Sequence, residues 1–525
     1  LLLHCKLQNR SGCGDHKLIY DTLLEAIHIS RPKFNVNEIK INEMLLSITE
    51  IELFIALAHE SFYNNDLSIC NIICSQISTY LENSSFASYE KEALLAENAV
   101  VYSKYLLAIK DYERAYETAD QFRLLMMNMM NNIFLRDLTF LTAISLYYRN
   151  KTTEAMELFK ATIYALHATG SCYATTCLNY IKTLPKLHIP DDLLKLPTIP
   201  FKSFKLPKIE ILDDISSLGN GIYSLDSANV LTLGRLIREL RTDQKISQSV
   251  LCNGLCSKSK LSKIENNTLQ PEIYLSQALL QRLGINDTIF TFFGSNRESQ
   301  LYLLQRKLST SKLSEKEKNL KYIKKLKKLI TTNDILYKQY ALFIEASYIT
   351  DKNLKISQLN IALSITLPEF DINKILDYRL SWLELTILTN LSAAYCDNTS
   401  VSQGIQYFYK ILEYLNVNNI DILSSKRIMS ITITMLFRRL YRTKRFSEIL
   451  ELQSSLHSSV SVHYDIYSLA NIYAHYCQAL GECGQFEDMA LYAHYSLSCY
   501  KLYNNSKIMN LLQKCILEDF NIYID

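Results

Sequence analysis

Residues Leu233–Ile285, LGRLIRELRTDQKISQSVLCNGLCSKSKLSKIENNTLQPEIYLSQALLQRLGI, decide how this chain is read. Leu233, Leu236, Ile237 and Leu240 recur at helical spacing and leave Arg235, Arg238 and Arg241 on the remaining surface, so the stretch opens with an amphipathic helix. Ser247 stands before Gln248, Ser249, Val250 and Leu251, where its hydroxyl can accept a bond from an orphan backbone N–H and start a short second helix. Gly254 closes that helix. Ser257 is the next N-cap, and the segment Lys258 to Glu265 buries Leu261 and Ile264 while Lys258, Ser259, Lys260, Ser262 and Lys263 are free to face outward. Asn266, Asn267 and Pro271 break the chain, after which Leu275, Leu279, Leu280 and Leu283 supply closing helices.

The run SQSVLCNGLCSKSKLSKIENN, followed by Pro271 and LLQRLGI, resembles the Cro/C1-type (XRE) helix-turn-helix domain, in the variant found in peptide-responsive regulators of the Rgg and PlcR (RNPP) kind. The resemblance implies a lambda-repressor-like DNA-binding domain over residues 229–290. It further implies that Gln248, which opens the second helix, contacts the sugar-phosphate backbone, and that Ser257, Lys258, Ser259 and, one turn on, Lys263 enter the major groove of double-stranded DNA. Lys260 is placed with them as a DNA-binding residue. Glu265 and Arg241 occupy the positions of a structural ion pair in that family. Asn267 replaces the family's usual Gly after Glu-Asn, and Asn tolerates a left-handed backbone, so the turn is expected to survive.

Charge agrees with this reading. Residues 231–285 hold eight Lys and Arg against four Asp and Glu, in a chain whose net charge is only +3. A basic helix face is what phosphate neutralisation requires.

The rest of the 525-residue chain exceeds what one core can fill, so two or three domains are expected. Apolar residues recur at helical spacing nearly throughout, Gly (12) and Pro (8) are scarce, and the fold class is all-α. Five of the eight prolines (Pro185, Pro190, Pro197, Pro200, Pro207) crowd one stretch that no long helix can cross, which marks 184–228 as a linker. Pro32 and Pro368 sit in matching contexts, ISRPKFNVNEI and ITLPEFDINKI; Phe34, Asn37 and Ile39 correspond to Phe370, Asn373 and Ile375, and Leu23 and Ala26 to Leu359 and Ala362. The chain is therefore read as an internal duplication, with helical repeats over 1–183 and 291–525. The first copy shows no helix-turn-helix ahead of it and residue 1 is Leu, so an N-terminally incomplete chain and a true start with a lost first domain both stay open.

KDYERAYETADQF from Lys110, NKTTEAMELFKAT from Asn150, KRFSEILELQSSL from Lys444 and GQFEDMALYAHYSL from Gly484 each set a turn residue before a helix with an aromatic or bulky residue near its start. They resemble tetratricopeptide (TPR) units, although the consensus Trp, Gly and Pro are mostly absent. Hairpins of this kind bury their apolar faces by stacking, which builds an α-solenoid with one concave groove. Counting back from the turns at Gly484, Lys444 and Thr399 places Asn471, Gln478 and Glu482, then Thr434, Arg438 and Arg442, then Thr386 and Thr389 on that groove. Amides there can pair with a peptide backbone, and Arg438 and Arg442 can hold a carboxylate.

Thirteen scattered cysteines lack a C-x-x-C framework or zinc spacing and are read as reduced core thiols of a cytoplasmic protein; Cys70 with Cys74 and Cys252 with Cys256 admit a redox-sensor reading. No apolar run spans a bilayer and no signal peptide opens the chain, so no membrane partner is expected. There is no Gly-rich phosphate loop, H-E-x-x-H or Gly-x-Ser-x-Gly elbow, so neither catalysis, a metal nor another cofactor is expected. The Lys-rich segment from Arg306 to Lys328 reads as an amphipathic helix with a solvated basic face. Abundant Ile, Asn, Lys and Tyr suit a low-GC bacterium. Two functions fit: a transcription regulator whose solenoid senses a short signalling peptide, as quorum sensing uses, and dimerises; or a TPR-like interaction scaffold that uses its helix-turn-helix for assembly.

Overall fold

The computed structural model describes residues 15–44, 46–84, 88–129, 134–199, 233–283, 296–311, 315–332, 334–398, 400–418, 422–460 and 466–524. Among them the protein is all-α, with no strand.

The first copy runs α1 (His16–Ser30), a 3₁₀ turn (Ile41–Glu43), α2 (Ile48–Tyr63), α3 (Leu67–Asn83), α4 (Ser88–Ala108), α5 (Tyr112–Met129), α6 (Leu135–Tyr148), α7 (Thr152–Ala168), α8 (Tyr173–Lys182) and the short α9 (Asp191–Leu194). The helix-turn-helix segment follows as α10 (Leu233–Asp243), α11 (Gln248–Cys252), α12 (Lys258–Glu265) and α13 (Ile273–Arg282). Then come α14 (Asn296–Thr310) and α15 (Lys316–Leu329). The second copy runs α16 (Ile335–Ala346), α17 (Lys352–Ser364), a 3₁₀ turn (Ile372–Asp377), α18 (Trp382–Asp397), α19 (Val401–Val417), α20 (Ile422–Arg442), α21 (Phe446–Val460), α22 (Ile466–Glu482), α23 (Phe486–Leu502) and α24 (Ser506–Phe520).

The duplication is visible in local chemistry. The left-handed residues that turn one helix of a hairpin into the next recur at one constant offset: Lys110 (φ 64°) with Lys444 (φ 58°), Asn150 (φ 61°) with Gly484 (φ 77°), and Gly170 (φ 66°) with Asn504 (φ 51°). A left-handed turn suits Gly or Asn, so lysine at both Lys110 and Lys444 shows that the hairpin, not the residue, sets the backbone. At that same offset Ser47 and Glu50 form a reciprocal capping box on α2, and Ser381 and Glu384 form one on α18. The Tyr80 hydroxyl accepts Leu46 N–H at 2.9 Å, and Tyr414 accepts Leu380 N–H at 2.9 Å. A short deletion between Ile375 and Ser381 separates this offset from the one that pairs Pro32 with Pro368.

By internal contacts the chain forms two compact units, one of Leu1–Ile211 with Gln453–Asp525 and the other of Leu212–Leu452. The segment 291–525, read from sequence as one solenoid, is thus shared between the two. In the first unit Ile19, Leu23, Ile27, Phe54, Leu57, Ile73 and Ile77 fill the core under α1–α3, all nearly inaccessible. Residues 184–199 are packed down here and do not hang free: the Tyr147 hydroxyl donates to the Pro185 carbonyl at 2.5 Å, His167 Nε2 lies 3.0 Å from the Pro197 carbonyl, and Ile199 N–H donates to Thr175 Oγ1 at 3.1 Å. Pro200 and Pro207 lie outside the described residues.

In the second unit Ile237, Leu251, Leu261, Ile264 and Leu279 form one continuous core with Leu301 and Leu308 of α14, Ile323 and Leu326 of α15 and Tyr340 of α16. Each such side chain contributes roughly 1.5–3 kcal/mol by leaving water. The helix-turn-helix is therefore fused to the helices behind it by its own core.

Candidate nucleic-acid interface

Four helices build the platform. Gly234, at the start of α10, lies so close to the end of α12 that a Cβ there would sit 1.9 Å from the Ile264 carbonyl oxygen, so only glycine lets the two helices meet. Ser247 caps α11 by accepting Val250 N–H at 3.3 Å, and Ser257 caps α12 by accepting Lys260 N–H at 3.1 Å. Gly254 (φ 71°) makes the turn between them and Asn267 (φ 58°) the turn after α12.

On α12, Leu261 and Ile264 face the core. Ser257, Lys258, Ser259 and Lys263 are exposed and Lys260 is half-buried. Among the described residues none of Lys258, Lys260 and Lys263 is held in an ion pair, so the first turn of α12 offers free cations and small hydroxyls on one surface.

Behind this surface, Arg241 grips Glu265 with two hydrogen bonds, Nε to Oε1 at 2.6 Å and Nη2 to Oε2 at 3.0 Å. A third bond from Arg241 Nη1 reaches the Ile246 carbonyl at 2.9 Å. Glu265 is 2 % exposed at its side chain and Arg241 13 %. The bonds to Glu265 raise the Arg241 pKa above its usual value, against the opposing effect of partial burial. Gln248 joins this network: its Nε2 donates to Glu265 Oε2 at 2.7 Å. One of the two N–H donors of that amide is thereby committed to the protein, which leaves the second N–H for a contact to a phosphate.

A second network was not legible as a site in the sequence. Arg282, at the end of α13, donates from Nη1 to the carbonyls of Leu251 (2.9 Å) and Asn253 (2.5 Å), and from Nη2 to Glu384 Oε1 (2.7 Å). Both charged side chains are fully inaccessible. Burial pushes the Glu384 carboxyl up, but the Arg282 charge, the Ser381 N–H, the Thr366 hydroxyl and the Arg282 hydrogen bond outweigh it and hold the pKa below the ordinary value. Thr366 in turn receives Gln339 Nε2 at 2.7 Å, and Gln281 Oε1 accepts Trp382 N–H at 3.1 Å. Gly254 rests on the backbone of Thr366, where a Cβ would sit 1.5 Å from the carbonyl oxygen. The one clue in sequence was the capping-box pattern Ser381-x-x-Glu384, which announces a helix start but not a cation from another domain.

The polar residues placed on the solenoid groove divide between the units. In the second unit Thr389 does not face a groove: it is 1 % exposed, and its hydroxyl donates to the Leu385 carbonyl at 2.9 Å and lies 3.2 Å from the Thr432 hydroxyl, between α18 and α20. Thr386 and Thr434 are half-buried and each bonds the carbonyl four residues back, at Trp382 and Ser430. Arg438 and Arg442 are exposed. The neighbouring Arg439, which the positional count passed over, is nearly buried and pairs with Asp397 at 2.8 Å, while Arg442 reaches the same carboxylate at 3.9 Å. Partial burial and then the charges of Arg442 and Arg439 lower the Arg438 pKa, while the Asp397 carboxylate is paired with the other two guanidinium groups.

In the first unit Asn471 spends its amide inside the fold, donating to the Tyr467 carbonyl at 2.8 Å and accepting the Tyr500 hydroxyl at 3.0 Å. Gln478 is half-buried and Glu482 exposed.

No protein-family model matches the chain, and no curated protein matches it in sequence. A crystal structure of Bacillus thuringiensis PlcR in complex with the peptide PapR7 and DNA is similar to it at 17 % identity and a TM-score of 0.32, covering 53 % of this chain and 98 % of PlcR. A likeness of that size carries no argument about function. The functional reading rests on this chain's own residues.

The described thiols are all unpaired. Burial raises the Cys252 pKa and lifts Cys256 to about 11, while burial beside Cys70 raises Cys74 well above its usual value, so these three are held as thiols and not as reactive thiolates. Among the described residues no cluster of His, Cys, Asp and Glu is arranged to hold a metal, and no helix is long and apolar enough to cross a membrane.

Proposed function

We propose that this chain is a sequence-specific transcription regulator of the bacterial cytoplasm that binds double-stranded DNA through α12 and senses a short peptide on its helical repeats. The observation that carries the reading is the first turn of α12: Ser257, Lys258 and Ser259 stand exposed on a capped helix whose far end is tied down by the Arg241–Glu265 pair. Hydroxyls and amines on a rigid helix are the groups that read base edges, and unpaired lysines are the groups that displace counterions from phosphate. A scaffold that used the domain only for assembly would bury this face or neutralise it. Catalysis and a cofactor have no part in the proposal.

For the sensing half, Arg438 with Arg442, next to the Arg439–Asp397 pair, offers a surplus of guanidinium donors suited to the terminal carboxylate of a peptide.

The test is selection of bound duplexes from a random library, followed by affinity measurements on the enriched site. The wild-type chain is expected to enrich one motif, and Lys258→Ala with Lys263→Ala to lose that preference and to reduce the salt-dependence exponent by about 1 for each lost phosphate contact. Equal binding by the double variant would sink the DNA-binding assignment of α12.

A further inference from the structure

Within the first unit, α7 packs along α23, and these two helices are the same element of the two copies. The offset that carries Lys110 to Lys444 carries Glu157, Lys160, Ala161, Thr162 and His167 to Leu491, His494, Tyr495, Ser496 and Lys501. Their contacts run in opposite directions along the two helices. Glu157, near the start of α7, is ion-paired with Lys501, near the end of α23. Tyr164 stacks on His494 with ring centroids 5.1 Å apart. Further along α7, His167 stacks on Tyr495, whose hydroxyl lies 2.6 Å from His167 Nδ1.

Translated through the duplication, Glu157 meets the counterpart of His167, and Tyr164 meets the counterpart of Lys160. The midpoint of these two pairings falls on Thr162 and its counterpart Ser496, each 0 % exposed, and that of the third, His167 with the counterpart of Ala161, falls two residues on, at Tyr164. A helix that crosses its own duplicate antiparallel, about a point near the middle of both, has the geometry of an isologous two-fold interface. The partner helices repeat the pattern: α6 also touches α23, and Tyr473 of α22 donates its hydroxyl to the Ala168 carbonyl of α7 at 2.8 Å.

The face is a core and not a surface. On α7, Ala161, Thr162, Ile163, Tyr164, Ala165 and Leu166 are buried in succession, and on α23 the run from Tyr495 to Tyr500 is buried without a gap. A helix buried on all sides cannot offer the same face to a further molecule.

We propose that this hairpin contact is a dimer interface closed in cis: the two copies in one chain occupy the face by which two single-copy chains would pair, and the protein is monomeric in solution. The homodimer implied by the family resemblance is replaced here by the duplication. The proposal does not depend on the DNA-binding reading.

Two measurements on the wild-type protein test it. Light scattering across a hundredfold concentration range is expected to return the single-chain mass of 60.6 kDa throughout; a dimer mass, or a mass that rises with concentration, overturns the proposal. Separately, nitrogen-15-labelled and unlabelled protein are mixed and treated with a carbodiimide, which activates the Glu157 carboxylate for attack by the Lys501 amine and leaves as the urea, having taken up the elements of water, as the amide forms. The joined peptide is expected with both halves labelled or both unlabelled. Mixed-label peptides would show that the contact forms between chains, and absence of the Glu157–Lys501 product would show that α7 and α23 do not meet; either result overturns it.

Discussion

Arg282 and Glu384 face each other at 2.7 Å with neither side chain reachable by water, and the same guanidinium holds the two carbonyls that end α11. One residue thus ties the turn before α12 to the capping box of α18. Removing one member of a buried pair leaves a stranded charge, which costs about 3–5 kcal/mol, whereas replacing both by apolar groups of similar size is often close to neutral. Arg282→Met is expected to lower stability by that amount and Arg282→Met with Glu384→Leu to recover most of it, as read by urea denaturation of each variant.

The pair also sets a pH dependence. The folded Glu384 pKa lies below its ordinary value of 4.5. A carboxyl depressed on folding contributes stability that is present above the unfolded pKa and is lost as pH falls through the folded one. The wild type is therefore expected to lose stability faster than the Met/Leu double variant once the pH drops below about 4.5, and thermal melts from pH 7 to pH 3 would show the two curves converging. Parallel curves would contradict the assignment.

Gln248 has two demands on it, one from Glu265 and one from the proposed DNA backbone. Gln248→Ala deletes a hydrogen bond to a charged group, which costs about 1.5–3 kcal/mol of stability, and is expected to weaken binding to all DNA sequences about equally. Gln248→Glu should be worse at neutral pH, because it sets a second carboxylate against Glu265, and its deficit should shrink on acidification. Thermal melts at pH 7 and pH 5, with duplex binding measured alongside, separate the two effects.

For the peptide reading, a ligand that binds the folded chain raises its melting temperature by mass action. A short peptide found to do so is expected to lose most of that shift when its C terminus is amidated, and Arg438→Ala is expected to abolish the difference between the free and amidated forms. An unchanged shift in Arg438→Ala would remove Arg438 and Arg442 from the site.

Local chemistry was the legible part of this protein. Ser247, Ser257, Gly254 and Asn267 act within a few residues of themselves, so cap and turn rules place the four helices of the helix-turn-helix segment directly from sequence. The repeated hairpins were legible for the same reason. Thr389 shows where such counting stops: helical position assigns it to the groove side of α18, but α20 packs over that side and turns it into core. Arg282 and Glu384 stand 102 residues apart, and no periodicity relates them. Long-range partners of this sort, like the packing of α7 on α23, depend on which face each helix finds, and a period of 3.6 residues leaves that choice open.

Gly254 lies flat on the Thr366 backbone, close enough that a single methyl group would not fit. Residues 233–283 are consequently no portable cassette. Cut out alone, the segment would bare the carbon surface that Leu301, Ile323 and Tyr340 cover and leave Arg282 in search of a counter-charge; grafted ahead of a different solenoid, it would need a helix start with an acid at its third position and a carbonyl at van der Waals distance from a glycine. On the proposed DNA-binding reading, exchange of operator preference is accordingly expected to proceed by replacing the few outward side chains of α12, with the scaffold beneath them left in place.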